Sequence, residues 1–147
     1  MASIIWETGT ATLVMASVLN SLTIESNAIT YDIDNSVDKF LFDNVELYVT
    51  TSSGYTSFAE GDQFNLYIIR EQLDGTGFED GDASIDPPAA NLVGVFVLGG
   101  YGDAQRHILR HISIPPCKFK YLLINYAQDL EPSGNTLRRL PYGYQTV

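Results

Sequence analysis

The chain has a single cysteine in 147 residues, Cys117, which excludes an internal disulfide and any four-cysteine zinc site. Positive charge is also scarce. Eight Lys and Arg stand against 18 Asp and Glu, a net charge of -10, so the molecule as a whole repels phosphate backbones and anionic lipid, and no nucleic-acid partner is expected. Long apolar runs are missing too. The longest, 92–98, falls far short of the roughly 20 residues that span a bilayer as a helix, so no membrane partner is expected. The opening stretch lacks a basic segment and carries Glu7, which does not suit an export signal, so the protein is expected to stay where it is made. Helical periodicity is absent from every window of about 12 residues, and residues 15–22 suit at most a turn or two.

What the chain does have is alternation. In 43–51, Val45, Leu47 and Val49 share one parity while Glu46, Tyr48 and Thr50 share the other, the signature of a half-buried strand. Segments 63–71 and 27–34 repeat it, each with one wet face expected, whereas 92–98 is apolar on both parities and reads as an interior strand covered on both sides. Adding 10–17, 105–114, 118–126 and 135–140 gives about eight strands, separated by turn chemistry such as Ser53-Gly54 and Asp74-Gly75. Pro115-Pro116 offers no N–H and must separate two of them. The expected fold is all-β, a jelly-roll-like β-sandwich of about eight antiparallel strands in one domain over 1–147, with an N-terminal arm over about 1–9.

The segment 72–90 is a long acidic loop of the kind that is either a binding element or mobile. Charge is unevenly placed: 16 acidic and 2 basic residues lie in 1–103, and 6 basic with 2 acidic in 104–147. Two readings follow. The basic strands pair with acidic ones inside one sheet, or a basic face of one subunit meets an acidic face of another.

Chemistry-bearing motifs are sparse. His107 and His111 are spaced for zinc on a helix, but they fall in an alternating segment, where four residues span roughly 13 Å. The carboxylates Glu79, Asp80, Asp82 and Asp86 are hard ligands of the calcium type, yet they do not follow an EF-hand order. No G-x-S-x-G elbow occurs, and no carboxylate pair stands out for glycoside hydrolysis. Gly99-Gly100-Tyr101-Gly102 suits a hairpin connection better than a phosphate cradle. No enzyme activity, cofactor or metal is expected. Aromatics, in contrast, are plentiful: 9 Tyr, 7 Phe and 1 Trp. Rings with polar tips suit sugar stacking and protein interfaces alike, and the near-terminal Ile4, Ile5, Trp6, Tyr142 and Tyr144 are the candidate interface residues. The alternative for Trp6 is that it closes one end of the core.

From Ile112 the sequence runs Ile-Ser-Ile-Pro-Pro-Cys-Lys-Phe-Lys-Tyr-Leu-Leu-Ile-Asn-Tyr, followed by Pro132-Ser133-Gly134-Asn135-Thr136-Leu137. This resembles small virion accessory proteins of tailed bacteriophages, in which a proline-initiated K-F-K strand reaching an Asn precedes an S-G-N-T turn and a final strand. Trp6, Gly9 and Leu19-Asn20-Ser21-Leu22 are similar to the same group. The match covers about the last 35 residues, and Cys117 stands where a turn residue is expected. The resemblance implies a structural role on the virion: a capsid decoration (cement) or head-fibre protein on the capsid surface. Its partners would be the major capsid protein and copies of itself, as a homo-oligomer made in the host cytoplasm, a trimer where it sits on threefold positions. It implies no catalytic residues. The alternative function is a carbohydrate-binding β-sandwich module of a phage fibre or tail.

Overall fold

The computed structural model describes residues 3–55 and 57–146. Residues 1 and 2 of the expected arm lie outside them. Ten strands form in chain order: β1 (Ile4–Thr8), β2 (Thr12–Met15), β3 (Asn27–Ile29), β4 (Ile33–Asp34), β5 (Phe42–Thr50), β6 (Gln63–Arg70), β7 (Leu92–Val97), β8 (Ala104–Ser113), β9 (Lys118–Tyr126) and β10 (Thr136–Thr146). They make two antiparallel sheets. The first has the order β1-β10-β5-β8 with β2 also on β10, and the second has β3-β9-β6-β7 with β4 also on β9. From β5 onward the chain passes between the sheets in jelly-roll fashion, and the main core draws on both: Val45, Leu47, Val49 and Leu137 from the first, Phe64, Leu66, Phe119, Tyr121 and Leu123 from the second. The β-sandwich is as the alternation predicts.

Several local expectations are corrected. The arm is a strand: β1 pairs in register with the far half of β10, Ile4 opposite Thr146 through Thr8 opposite Tyr142. The last strand continues past Leu140, because Pro141 is tolerated inside it. Its carbonyl accepts the Gly9 N–H at 2.8 Å, so its N-side faces the gap where the chain leaves β1 for β2 and no ladder donor is needed. Gly9 is required there, since a Cβ would stand 2.7 Å from Pro141 Cγ. The expected strand 27–34 is split into β3 and β4 at Thr30, whose hydroxyl accepts the Tyr121 N–H at 3.0 Å where a backbone carbonyl would serve in a regular ladder.

Segment 92–98 is not interior: β7 is an edge strand with Leu92 and Val97 exposed. Coverage on both sides belongs instead to β6 and β9. The segment Gly99–Gly102 is not a hairpin, because β7 and β8 belong to different sheets; it carries the chain from one sheet to the other.

The acidic loop explains this inversion. It folds back on the outer face of the second sheet, where Phe78 and Ile29 pack against Tyr67, Ile69, Leu122 and Ile124 as a second core. Gly81 has φ +133°, and a Cβ there would lie 2.8 Å from Ile69 Cδ1. Asn27 Nδ2 donates to the Asp82 carbonyl at 3.2 Å and to Asp86 Oδ1 at 3.0 Å. The wet faces expected on 63–71 and 27–34 are therefore partly sealed by the chain's own loop.

Candidate functional site

With the second sheet covered, the outer face of the first sheet is left bare. Its side chains follow from parity. On β5, Asp43, Val45, Leu47 and Val49 are buried, so Phe42, Asn44, Glu46 and Tyr48 point outward. The register then places Tyr142 opposite Phe42, Leu140 opposite Asn44 and Arg138 opposite Glu46 on β10, with Trp6 opposite Tyr144 and Thr8 opposite Tyr142 on β1. On the other flank, β8 sets Ile108 opposite Glu46 and Arg106 opposite Tyr48.

At one point this pairing is irregular. Between Asp43 and Val45 the register with β8 shifts, so that Arg110 and His111 together oppose Asn44. His111 sits at φ +62°, a left-handed conformation for a residue with a Cβ. Its backbone N–H donates to Asn44 Oδ1 at 3.1 Å. Such a bulge re-aims side chains; here Arg110 lines the outer face and His111 stacks on the outward ring of Phe42, centroids 3.9 Å apart.

The result is a row of rings across four strands. Trp6 lies 4.4 Å from Tyr144 and 5.4 Å from Tyr142, and Tyr142 lies 5.5 Å from Phe42. Tyr142 Oη is 2.6 Å from His111 Nδ1. Desolvation, with Tyr144 close by, holds the Tyr142 hydroxyl above its ordinary value, so the phenol stays protonated. Trp6 is 57% and Tyr144 52% exposed, which removes the reading of Trp6 as a core plug.

Two depressions adjoin the rings. One, about 290 Å³, is lined by Trp6, Thr8, Asn44, Leu140 and Tyr142. The other, about 220 Å³, is lined by Asn44, Glu46, Ile108, Arg110, Arg138 and Leu140, among others. Because Asn44 and Leu140 line both, they form one trough from β1 to β8, about 14 Å wide at roughly 4.8 Å per strand. An apolar floor with a few convergent polar groups is the usual character of a small-molecule site. Glu46 is the one carboxylate among the residues lining the trough. The carboxylate pair of glycoside hydrolysis has no second member there.

The five candidate interface residues Ile4, Ile5, Trp6, Tyr142 and Tyr144 are brought together on the β1–β10 ladder. Ile4 is 72% exposed, and Ile5 points to the opposite side of the ladder from Trp6. Sequence reasoning missed Phe42, Asn44, Arg110 and Arg138, and weighed His111 only as a metal ligand. A signal existed in Phe42-x-Asn44-x-Glu46-x-Tyr48, an outward row richer in rings and hydrogen-bonding groups than a merely solvated face requires.

Other candidates are consumed structurally. His107 lies four residues from His111 along β8 and is hydrogen-bonded to Gln105 Oε1 at 2.9 Å. In the acidic loop, Asp74 accepts the backbone N–H and hydroxyl of Thr76, and Asp82 accepts those of Ser84; these bonds lower both carboxyls below the usual range. Burial pushes Glu79 up, but hydrogen bonds from Asn91 and Arg70 and the Arg70 charge outweigh it and hold this carboxyl low. Among the described residues no group of three or more His, Cys, Asp or Glu is arranged to hold a metal. The charge division resolves partly into cross-strand neighbours, as with Arg106 and Glu46 at 3.8 Å. The motif asparagines are buried staples: Asn125 ties the carbonyls of Leu22 and Gln128, and Asn135 ties the Thr50 N–H to the Glu131 carbonyl.

No protein-family model and no curated protein matches the sequence. Among solved structures the chain is similar to the C-terminal CBM6 of the laminarinase LamC from Zobellia galactanivorans, at 10% identity over 95% of this chain and 99% of that one, TM-score 0.45. It is also similar to the CBM36-1 domain of a multidomain xylanase from the hindgut metagenome of Trinervitermes trinervoides, at 10% identity over 97% of both chains, TM-score 0.42. A third is a carbohydrate-binding module CBM36 in complex with calcium and xylotriose, at 13% identity over 99% of both chains, TM-score 0.39. Likenesses of this size leave function to be argued from this chain's own residues.

Proposed function

We propose that this chain is a carbohydrate-binding β-sandwich module that takes a saccharide chain along the trough on the outer face of its first sheet. One observation carries the reading: Trp6, Tyr144, Tyr142 and Phe42 form a row of rings on the outer face of the first sheet, and the row opens onto Asn44, Glu46, Arg110 and Arg138. A pyranose has an apolar C–H face and a rim of hydroxyls. An aromatic face attracts the first, and amide, carboxylate and guanidinium groups bind the second in either donor or acceptor sense. The test is affinity electrophoresis through gels containing neutral and acidic polysaccharides. Retardation of the native chain that is lost in Trp6→Ala supports the reading; uniform migration through every gel refutes it.

A second reading is favoured by a different observation. The five residues of β1 are all exposed, and among the described residues only one edge of the strand is paired, with β10. An unpaired edge bearing Ile4 and Ile5 is suited to strand addition or apolar docking against another chain. With the resemblance in the last 35 residues, this supports a virion accessory protein whose partners are the major capsid protein and copies of itself, located on the capsid surface. The two readings are compatible in a fibre or tail module, where β1 docks and the trough binds. Recovery of the protein in fixed copy number with purified virions supports the second reading; presence in lysate alone refutes it.

A further inference from the structure

We infer that the saccharide taken by the trough is acidic, with its carboxylates seated at Arg110 and Arg138. The inference deepens the carbohydrate reading above and rests on it. Its basis is where the few cations of this acidic chain are left without partners. Arg70 is paired with Glu79, Arg106 with Glu46, Lys120 with Asp32 and Arg139 with Asp43. Arg106 is further occupied by the Tyr48 ring, 5.0 Å from its centroid. Among the described residues the other four basic side chains, Lys39, Arg110, Lys118 and Arg138, make no ion pair, although the chain carries 18 acidic residues against 8 basic ones, and Arg110 and Arg138 are the two guanidinium groups among them. Both line the same depression of about 220 Å³.

Their placement is built rather than incidental. Arg138 comes from β10 and Arg110 from β8, on the two sides of β5, so their strands stand about 10 Å apart at roughly 4.8 Å per strand. Arg110 reaches this face by the plain alternation of Arg106, Ile108 and Arg110 along β8, and the bulge opposite Asn44 adds His111 beside it. The trough thus holds Arg110 and Arg138 against Glu46, and Glu46 is already engaged by Arg106 from beside it. A guanidinium binds a carboxylate through two parallel N–H bonds, a geometry a neutral hydroxyl rim does not reproduce. A polymer with a carboxylate on successive or alternate residues would meet both arginines while its rings lie over Tyr142 and Trp6. The chain's overall negative charge repels such a polymer at long range, so capture depends on this local reversal of sign and weakens with added salt.

The test is isothermal titration calorimetry with polygalacturonate, alginate and hyaluronan, each paired with the same polymer after reduction of its carboxylates to alcohols. Native chain is compared with an Arg110→Gln, Arg138→Gln double variant. Both positions are exposed, and thermal unfolding checks that the variant folds. The expected result is that at least one acidic polymer binds the native chain about tenfold or more tighter than its reduced form. The double variant should lose that difference, binding the acidic polymer no tighter than its reduced form. If reduced polymers bind as tightly as acidic ones, or only neutral polysaccharides bind, the inference is overturned and the trough reading stands. If no polysaccharide binds at all, the trough reading fails and the inference fails with it.

Discussion

Beneath the trough lies a buried ion pair whose removal should be felt through the whole first sheet. Asp43 is 0% exposed; its Oδ2 accepts from Tyr121 Oη at 2.6 Å and from Arg139 Nε at 2.7 Å. These bonds tie β5 to β10 within the first sheet and to β9 of the second. Asp43→Asn keeps the shape but leaves the Arg139 guanidinium nearly buried without a counter-charge, which in comparable sites costs about 3–5 kcal/mol. Asp43 Oδ1 and Arg139 Nη2 already lack hydrogen-bond partners, so the lower end, about 3 kcal/mol, is expected. With a urea m-value of about 1–3 kcal/mol/M, the unfolding midpoint should fall by about 1–3 M. Arg139→Met in the same background should recover at least half of the loss, because the uncompensated charge goes with it.

The pH dependence has a definite sign. Burial raises the Asp43 carboxyl above its ordinary value despite the opposing Arg139 charge and the bonds from Arg139 and Tyr121. Between the unfolded and folded values the native chain holds a proton the unfolded chain has released, so this group's contribution to stability falls as pH rises through that window. Asp43→Asn should remove this component of the pH profile. A loss below about 1 kcal/mol, or no recovery in the double variant, would refute the picture of a desolvated pair.

Three further outcomes follow from other parts of the molecule. Gly81→Ala places a Cβ 2.8 Å from Ile69 at φ +133°; it should cost about 1–3 kcal/mol in urea unfolding and expose the loop to limited proteolysis. His111→Gly relieves a left-handed conformation worth about 1–2 kcal/mol but removes the stack on Phe42 and the Tyr142 contact. Its thermal midpoint should therefore stay close to native while polysaccharide retardation weakens, and an equal loss of both would contradict a positioning role. Glu79 is held below its ordinary value, so its share of stability is present at neutral pH and lost as pH falls through the folded value. Glu79→Gln should flatten that acid limb, by a modest amount because the pair is partly exposed.

The two-layer β architecture was legible because β5, β8, β9 and most of β6 alternate or sit between strong breakers such as Pro115-Pro116. What was not legible depended on contacts distant in sequence. Nothing local shows that 72–90 folds over β6 and β9, which is why β6 reads as half wet and β7 as interior when the reverse holds. Pro141 looks like a strand end, and only its position opposite the β1–β2 gap makes it harmless inside β10. The near-terminal residues were singled out for their chemistry, and the register brings them together. Their neighbours Phe42, His111, Arg110 and Arg138 come from strands far apart in the chain. The bulge that turns His111 outward leaves no firm sequence signature, since even a histidine adopts a positive φ in only a small minority of positions.

The chain holds one tryptophan, and it lies at the end of the trough, so its intrinsic emission reports on the proposed site without labelling. Titration with the polysaccharide that most retards the native chain should shift the Trp6 emission to the blue as the sugar displaces water from the indole. That change should saturate with the same affinity measured by calorimetry. Tight saccharide binding that leaves Trp6 emission untouched would place the ligand elsewhere on the molecule and contradict the assignment of the first sheet's outer face.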